Sequence, residues 1–178
     1  MTGSSLFETT AEVSVAFAGF IGIFLILATR DGRFSARDAV SIRTIVISSV
    51  APVFYAFLPL LLDFFGISGP TLWRAASTLT ALVSISITAI MIYGVRQLPN
   101  SERPAFTLIS IVGILCGGLS NLLWLSNALS WPWEPSGAAY LLAVWLVIVI
   151  AAIHFVVLLF RRVLASPAAH QGVEPDLE

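Results

Sequence analysis

Apolar residues gather along the chain into five runs of about 20 residues, each long enough to cross about 30 Å of hydrocarbon as an α-helix. The pattern predicts helices over approximately 8–29, 40–62, 72–95, 105–129 and 137–160. Every gap between them carries breakers or charge: Arg30-Asp31-Gly32-Arg33, Gly66-Ile67-Ser68-Gly69-Pro70, Pro99-Asn100-Ser101-Glu102-Arg103-Pro104 and Trp131-Pro132-Trp133-Glu134-Pro135. Ser5 with Glu8, and Ser35 with Asp38, have the spacing of capping boxes at the starts of the first two helices. Residues 1–165 thus read as one all-α polytopic membrane helix bundle of five transmembrane helices. Residues 166–178, polar and with three acids, read as a disordered acidic tail. The first run has no basic residue before it and contains Glu8, opposite to a secretory signal, so it is expected to stay as a permanent helix.

Composition agrees with this pattern: 58% of residues are hydrophobic, 11% are charged, and the mean hydropathy is +0.95. An ordinary soluble domain carries roughly a quarter charged residues. All nine basic residues are arginines, which excludes lysine Schiff bases and a phosphate loop ending in Gly-Lys-Ser/Thr. With Cys116 alone there is no intrachain disulfide and no thiolate metal cluster. A net charge of -1 gives no footprint for nucleic acid.

Arginine placement predicts orientation. Arg30, Arg33, Arg37, Arg43, Arg96, Arg103, Arg161 and Arg162 fall on one side of the predicted helices, and only Arg74 on the other. Because short cytoplasmic loops retain arginine, the bias predicts an outside N-terminus and a cytoplasmic C-terminus. Trp73, Trp131 and Trp133 then lie at the outer interface, where aromatic belts form.

The helix faces carry the candidate chemistry. On the first helix Val13, Phe17, Phe20, Phe24 and Leu27 share one face, expected to meet lipid. Glu8, Glu12, Ala16 and Gly19 line the other with Ala11, Ala18 and Gly22 adjoining, expected to meet protein. Arg74, Ser77, Ala81, Ser84 and Thr88 form a stripe on the third helix; Thr107, Ser110, Gly117 and Asn121 on the fourth, with Gly113 as a further packing position; Tyr140, Ala143, Val147 and His154 on the fifth. Two readings stand: interhelical packing through small residues and hydroxyls, or the lining of a water-filled path. Glu12, Asp63 and Arg74 form an expected outer cluster in which Arg74 pairs with Glu12 or Asp63. His154 is the one histidine inside a predicted span, readable as a packing residue, a proton relay or a haem ligand; a second membrane histidine for haem is missing, so no cofactor is expected. Pro52 and Pro59 free the carbonyls of Ser48 and Tyr55 in the second helix.

Ala11-Glu12-Val13-Ser14-Val15-Ala16-Phe17-Ala18-Gly19-Phe20-Ile21-Gly22, together with Phe34-Ser35-Ala36-Arg37-Asp38 leading to Ser41-Ile42-Arg43, resembles uncharacterised small multi-pass inner-membrane proteins of bacteria. Their first helix carries E-x-x-V-A-x-A-G-F-x-G and their second an arginine-rich cap. The likeness covers roughly the first 60 residues, implies a bacterial inner membrane, and supplies no catalytic residues.

There is no nucleophile with an adjacent base, no H-E-x-x-H and no metal-ligand cluster, so the chain is not expected to be an enzyme. The functional expectation is a self-associating membrane protein forming a pore or passive pathway for ions or small solutes. The alternative is a non-catalytic accessory or structural subunit of a larger membrane complex. A third, a redox or lipid enzyme built on His154, is tested by a Soret band. The partners expected are the lipid bilayer and a second copy or another membrane subunit.

Overall fold

The computed structural model of the chain describes residues 3–29, 36–97, 99–100 and 108–165. Among them are five helices: α1 (Gly3–Thr29), α2 (Ala36–Phe64), α3 (Gly69–Arg96), α4 (Leu108–Leu129) and α5 (Gly137–Ala165). Each contains a segment long and apolar enough to cross a membrane. The expected cap at Ser35, the loop arginines Arg30, Arg33 and Arg103, Thr107, and the tail 166–178 lie outside the described residues. Ser5 is not a cap: α1 is already helical from Gly3, and the Ser5 carbonyl accepts the Thr9 hydroxyl at 2.9 Å one turn later.

The turns have local causes. At the end of α2, Gly66 takes a φ of 82°, its N–H bonds to the Asp63 carbonyl at 2.8 Å, and the Ile67 N–H reaches back to Leu62 at 3.1 Å. This is a Schellman closure, in which a left-handed residue lets the last carbonyls find donors. Gly69, with a φ of 63°, and Pro70 in the first helical turn then launch α3. The same closure ends α4 with Ser130 at a φ of 55°, Ser130 N–H bonding to Asn127 and Trp131 N–H to Ser126. Asn127, fully buried, holds the following segment with both ends of its amide. Its Nδ2 donates to the Ser136 carbonyl at 2.9 Å, and its Oδ1 accepts from the Ser136 N–H at 3.2 Å. Ser136 in turn caps α5, its hydroxyl accepting from the Ala139 N–H.

α2, α5, α4 and α3 form a ring in which each packs against the next and α3 closes on α2, while α1 lies outside it against α2 with its edge on α5. One apolar core gathers Phe7, Tyr55, Trp124, Tyr140, Val144 and Ile148; a smaller one joins Ile21, Ile45 and Phe155. The perimeter exposes large apolar side chains such as Phe54, Phe57, Phe64, Ile23 and Leu115.

The expected facing of α1 is largely reversed. Ala11 is buried, as expected, but Phe7, Thr10, Ser14 and Ile21 are buried with it, and Glu8, Glu12, Ala16 and Gly19 are exposed. The hydroxyls of Thr10 and Ser14 bond back to the carbonyls of Leu6 and Thr10, each at 2.7 Å, so they enter the interface with no polar demand left. Phe17 and Phe24, assigned to lipid, are half-buried with their ring centroids 6.2 and 5.0 Å from Phe155 in edge-to-face contact. Val13 and Phe20 are exposed, as that expectation had them, although Phe20 also touches the Phe155 ring.

Candidate functional site

The centre of the ring is a polar node built on a missing hydrogen bond. Pro59 has no N–H, so the Tyr55 carbonyl one turn earlier loses its helical partner. The fully buried Tyr140 of α5 supplies the replacement, its hydroxyl donating to the Tyr55 carbonyl at 2.7 Å. A phenol has one proton, so the contact with Thr80 of α3 at 2.8 Å must run from the Thr80 hydroxyl to the Tyr140 oxygen. Three helices are thereby joined through one side chain. Aromatic rings close around it: Trp124 stands edge-on to Tyr55 at 5.3 Å, and Trp73, stacked on Phe7 at 5.6 Å, leans on Tyr140 at 6.1 Å.

Ser77 and Asn121 lie on the α3–α4 side of this node. Ser77 is fully buried, and its hydroxyl has no partner. Asn121 donates to the Gly117 carbonyl at 2.9 Å while its Oδ1, like Trp124 Nε1, is buried without one. Such atoms are ready to bond water or a polar solute, and leaving each unpaired costs about 1–3 kcal/mol. Ser84 is half-buried, and Thr88 is exposed with its hydroxyl bonded to the Ser84 carbonyl at 2.8 Å.

His154 sits lower on α5. Its Nδ1 lies 2.8 Å from the Ile150 carbonyl; since a carbonyl only accepts, Nδ1 carries a proton in this contact. The ring rests on α4 where Gly113 makes room: a Cβ there would stand 3.2 Å from His154 Cε1. Gly117, one turn on, is less constrained: a Cβ there would meet Ile150 Cδ1 at 3.8 Å, an ordinary van der Waals distance. Gly19 and Gly22 have nothing within 4 Å of the corresponding positions, and Ala18 is half-buried.

The outer cluster does not assemble within one chain. Glu12, Asp63 and Arg74 are all exposed, and among the described residues no ion pair joins Arg74 to either acid. α1 packs mainly on α2, and Glu12 is exposed on it. Among the described residues no three His, Cys, Asp or Glu side chains meet in a metal-binding group.

Sequence reasoning missed the Tyr140–Tyr55–Thr80 node and the Asn127–Ser136 clamp. The freed Tyr55 carbonyl was the available signal, since an orphan acceptor in an apolar core requires a donor. No protein-family model, curated protein or solved structure matches the chain.

Proposed function

We propose that the chain is an integral multi-pass protein of a bacterial inner membrane, N-terminus outside and C-terminus cytoplasmic, that self-associates and lets ions or small solutes pass along the seam between copies. The observation that carries this reading is Glu12, exposed on α1 beside the small, equally exposed Ala16 and Gly19. It lies about 10 Å along the helix axis from Ser5, where the apolar segment begins. A charge facing hydrocarbon costs about 2.5 to 3.5 kcal/mol, so this face calls for cover by protein or water. Small residues flanking a carboxylate suit the approach of another helix. Arg74, exposed at the corresponding end of α3, supplies the complementary charge from the next copy, and a pairing of α1 with α3 is a heterologous contact, which forms a ring where its rotation closes. Ser84 and Thr88, further along α3, extend the polar side of the seam.

The test is the mass of the purified protein in detergent together with ion flux from liposomes. Glu12→Arg is expected to cost about 2 to 5 kcal/mol at the interface and to dissociate the oligomer, with Arg74→Glu on the same chain restoring both assembly and flux. A monomer without flux, unchanged by either substitution, overturns the reading.

A second reading, an accessory subunit of a larger membrane complex, draws on the filled core: Trp124 and Tyr140 are fully buried in the middle of the ring. It predicts assembly with a different chain and no intrinsic flux.

A further inference from the structure

α2 and α3 are neighbours in sequence and in the ring, yet they splay apart on the outside and leave a groove of about 990 Å³ between them. Its α2 wall is Val50, Phe54 and Phe57, and its α3 wall Leu79, Val83 and Ile87. Tyr55 and Thr80 also line it, and the Tyr55 carbonyl and Thr80 hydroxyl are already engaged by Tyr140. Along α2 the groove runs from Val46 to Phe64, about 27 Å at the rise of an α-helix, so it extends along most of the hydrocarbon layer. Helices approach one another in lipid through Gly, Ala and Ser; branched and aromatic side chains dominate these walls, which suits a flexible hydrocarbon chain better than another helix.

The polar end points to the headgroup. Residues 43, 46, 50, 54, 57 and 61 follow one another at spacings of three and four, so Arg43 begins the row that forms the α2 wall. Arg43 is exposed, and it stands beside Ile42, where the apolar segment of α2 begins. We infer that the α2–α3 groove holds the acyl chain of an anionic phospholipid from the leaflet at this end, with its phosphate against Arg43. The chain fills the space between the walls, and the guanidinium sets the preference for a negative headgroup.

The inference rests on membrane insertion, and the two fail separately. Extraction of membranes with alkaline carbonate reads insertion, because release of the chain into the supernatant overturns the membrane reading itself. For an inserted chain, native mass spectrometry after reconstitution in equal parts phosphatidylglycerol and phosphatidylcholine reads the groove. Retained lipid is expected to be mainly phosphatidylglycerol, and Arg43→Gln to lower that preference about fivefold, the ratio expected for one interfacial arginine. Val83→Trp fills the groove and is expected to abolish retention of both lipids, whereas Leu82→Trp, exposed on α3 outside the walls, leaves it unchanged. Equal retention of the two lipids by the native chain, or equal loss in the two tryptophan variants, overturns the proposal. So does a disulfide between copies through cysteines placed at positions 50 and 83, which would mean that protein occupies the groove.

Discussion

Gly137 owes its identity to Trp73, 64 positions earlier in the chain. A Cβ at Gly137 would stand 2.7 and 2.9 Å from Trp73 Cζ2 and Cη2, and the indole is itself stacked on Phe7. Gly137→Ala must therefore shift a stacked ring, and thermal unfolding in detergent should report a loss of about 1–3 kcal/mol. The sequence marked Gly137 as a helix start and Trp73 as an interfacial aromatic; both readings are local, and a collision between residues on different helices has no local signature. His154 is the converse case. Its position inside a span was legible, but which reading its geometry favours depended on Gly113 of the facing helix and on the Ile150 carbonyl, which together hold the ring in place.

At the scale of elements, α2 is defined by the two prolines it tolerates. The carbonyl freed by Pro59 follows from covalent structure alone; its partner, Tyr140, lies 85 residues away and emerges only from the packing of α2 on α5. Tyr140→Phe should cost about 1–3 kcal/mol by orphaning the buried Tyr55 carbonyl. Combining it with Pro59→Ala, which restores an N–H to the helix, should recover part of that loss, so a double-mutant cycle in thermal unfolding should give a nonzero coupling. Additive costs would mean that the carbonyl is satisfied in another way. The facing of α1 was misread for a related reason. Glutamates and small residues mark the protein-facing side in a pattern reading, but Thr10 and Ser14 satisfy themselves on their own backbone and pack inward, while Phe155 draws Phe17 and Phe24 after it.

For the whole molecule, the five helices found among the described residues were legible as five apolar segments because apolar run length and turn chemistry are written consecutively in the chain. The ring order, with α1 outside it, depends on side chains distant in sequence and was not. Because Gly19 has open space around it within the protomer, Gly19→Leu should leave the melting curve of a monomer unchanged and alter only the oligomer profile. A lower monomer melting temperature would contradict the outward facing of that residue. The bond from Tyr140 to α2 and α3 also has a mechanical consequence. Helices in hydrocarbon slide past one another easily where only apolar surfaces touch, but a slip of one turn, about 5.4 Å, would leave a carbonyl and two hydroxyls stranded where no solvent can reach them. Tyr140 thus acts as an axial peg that locks α2, α3 and α5 at common depths. On the proposed membrane reading, a bilayer thicker or thinner than the bundle is expected to be met by tilting of the three helices as one body.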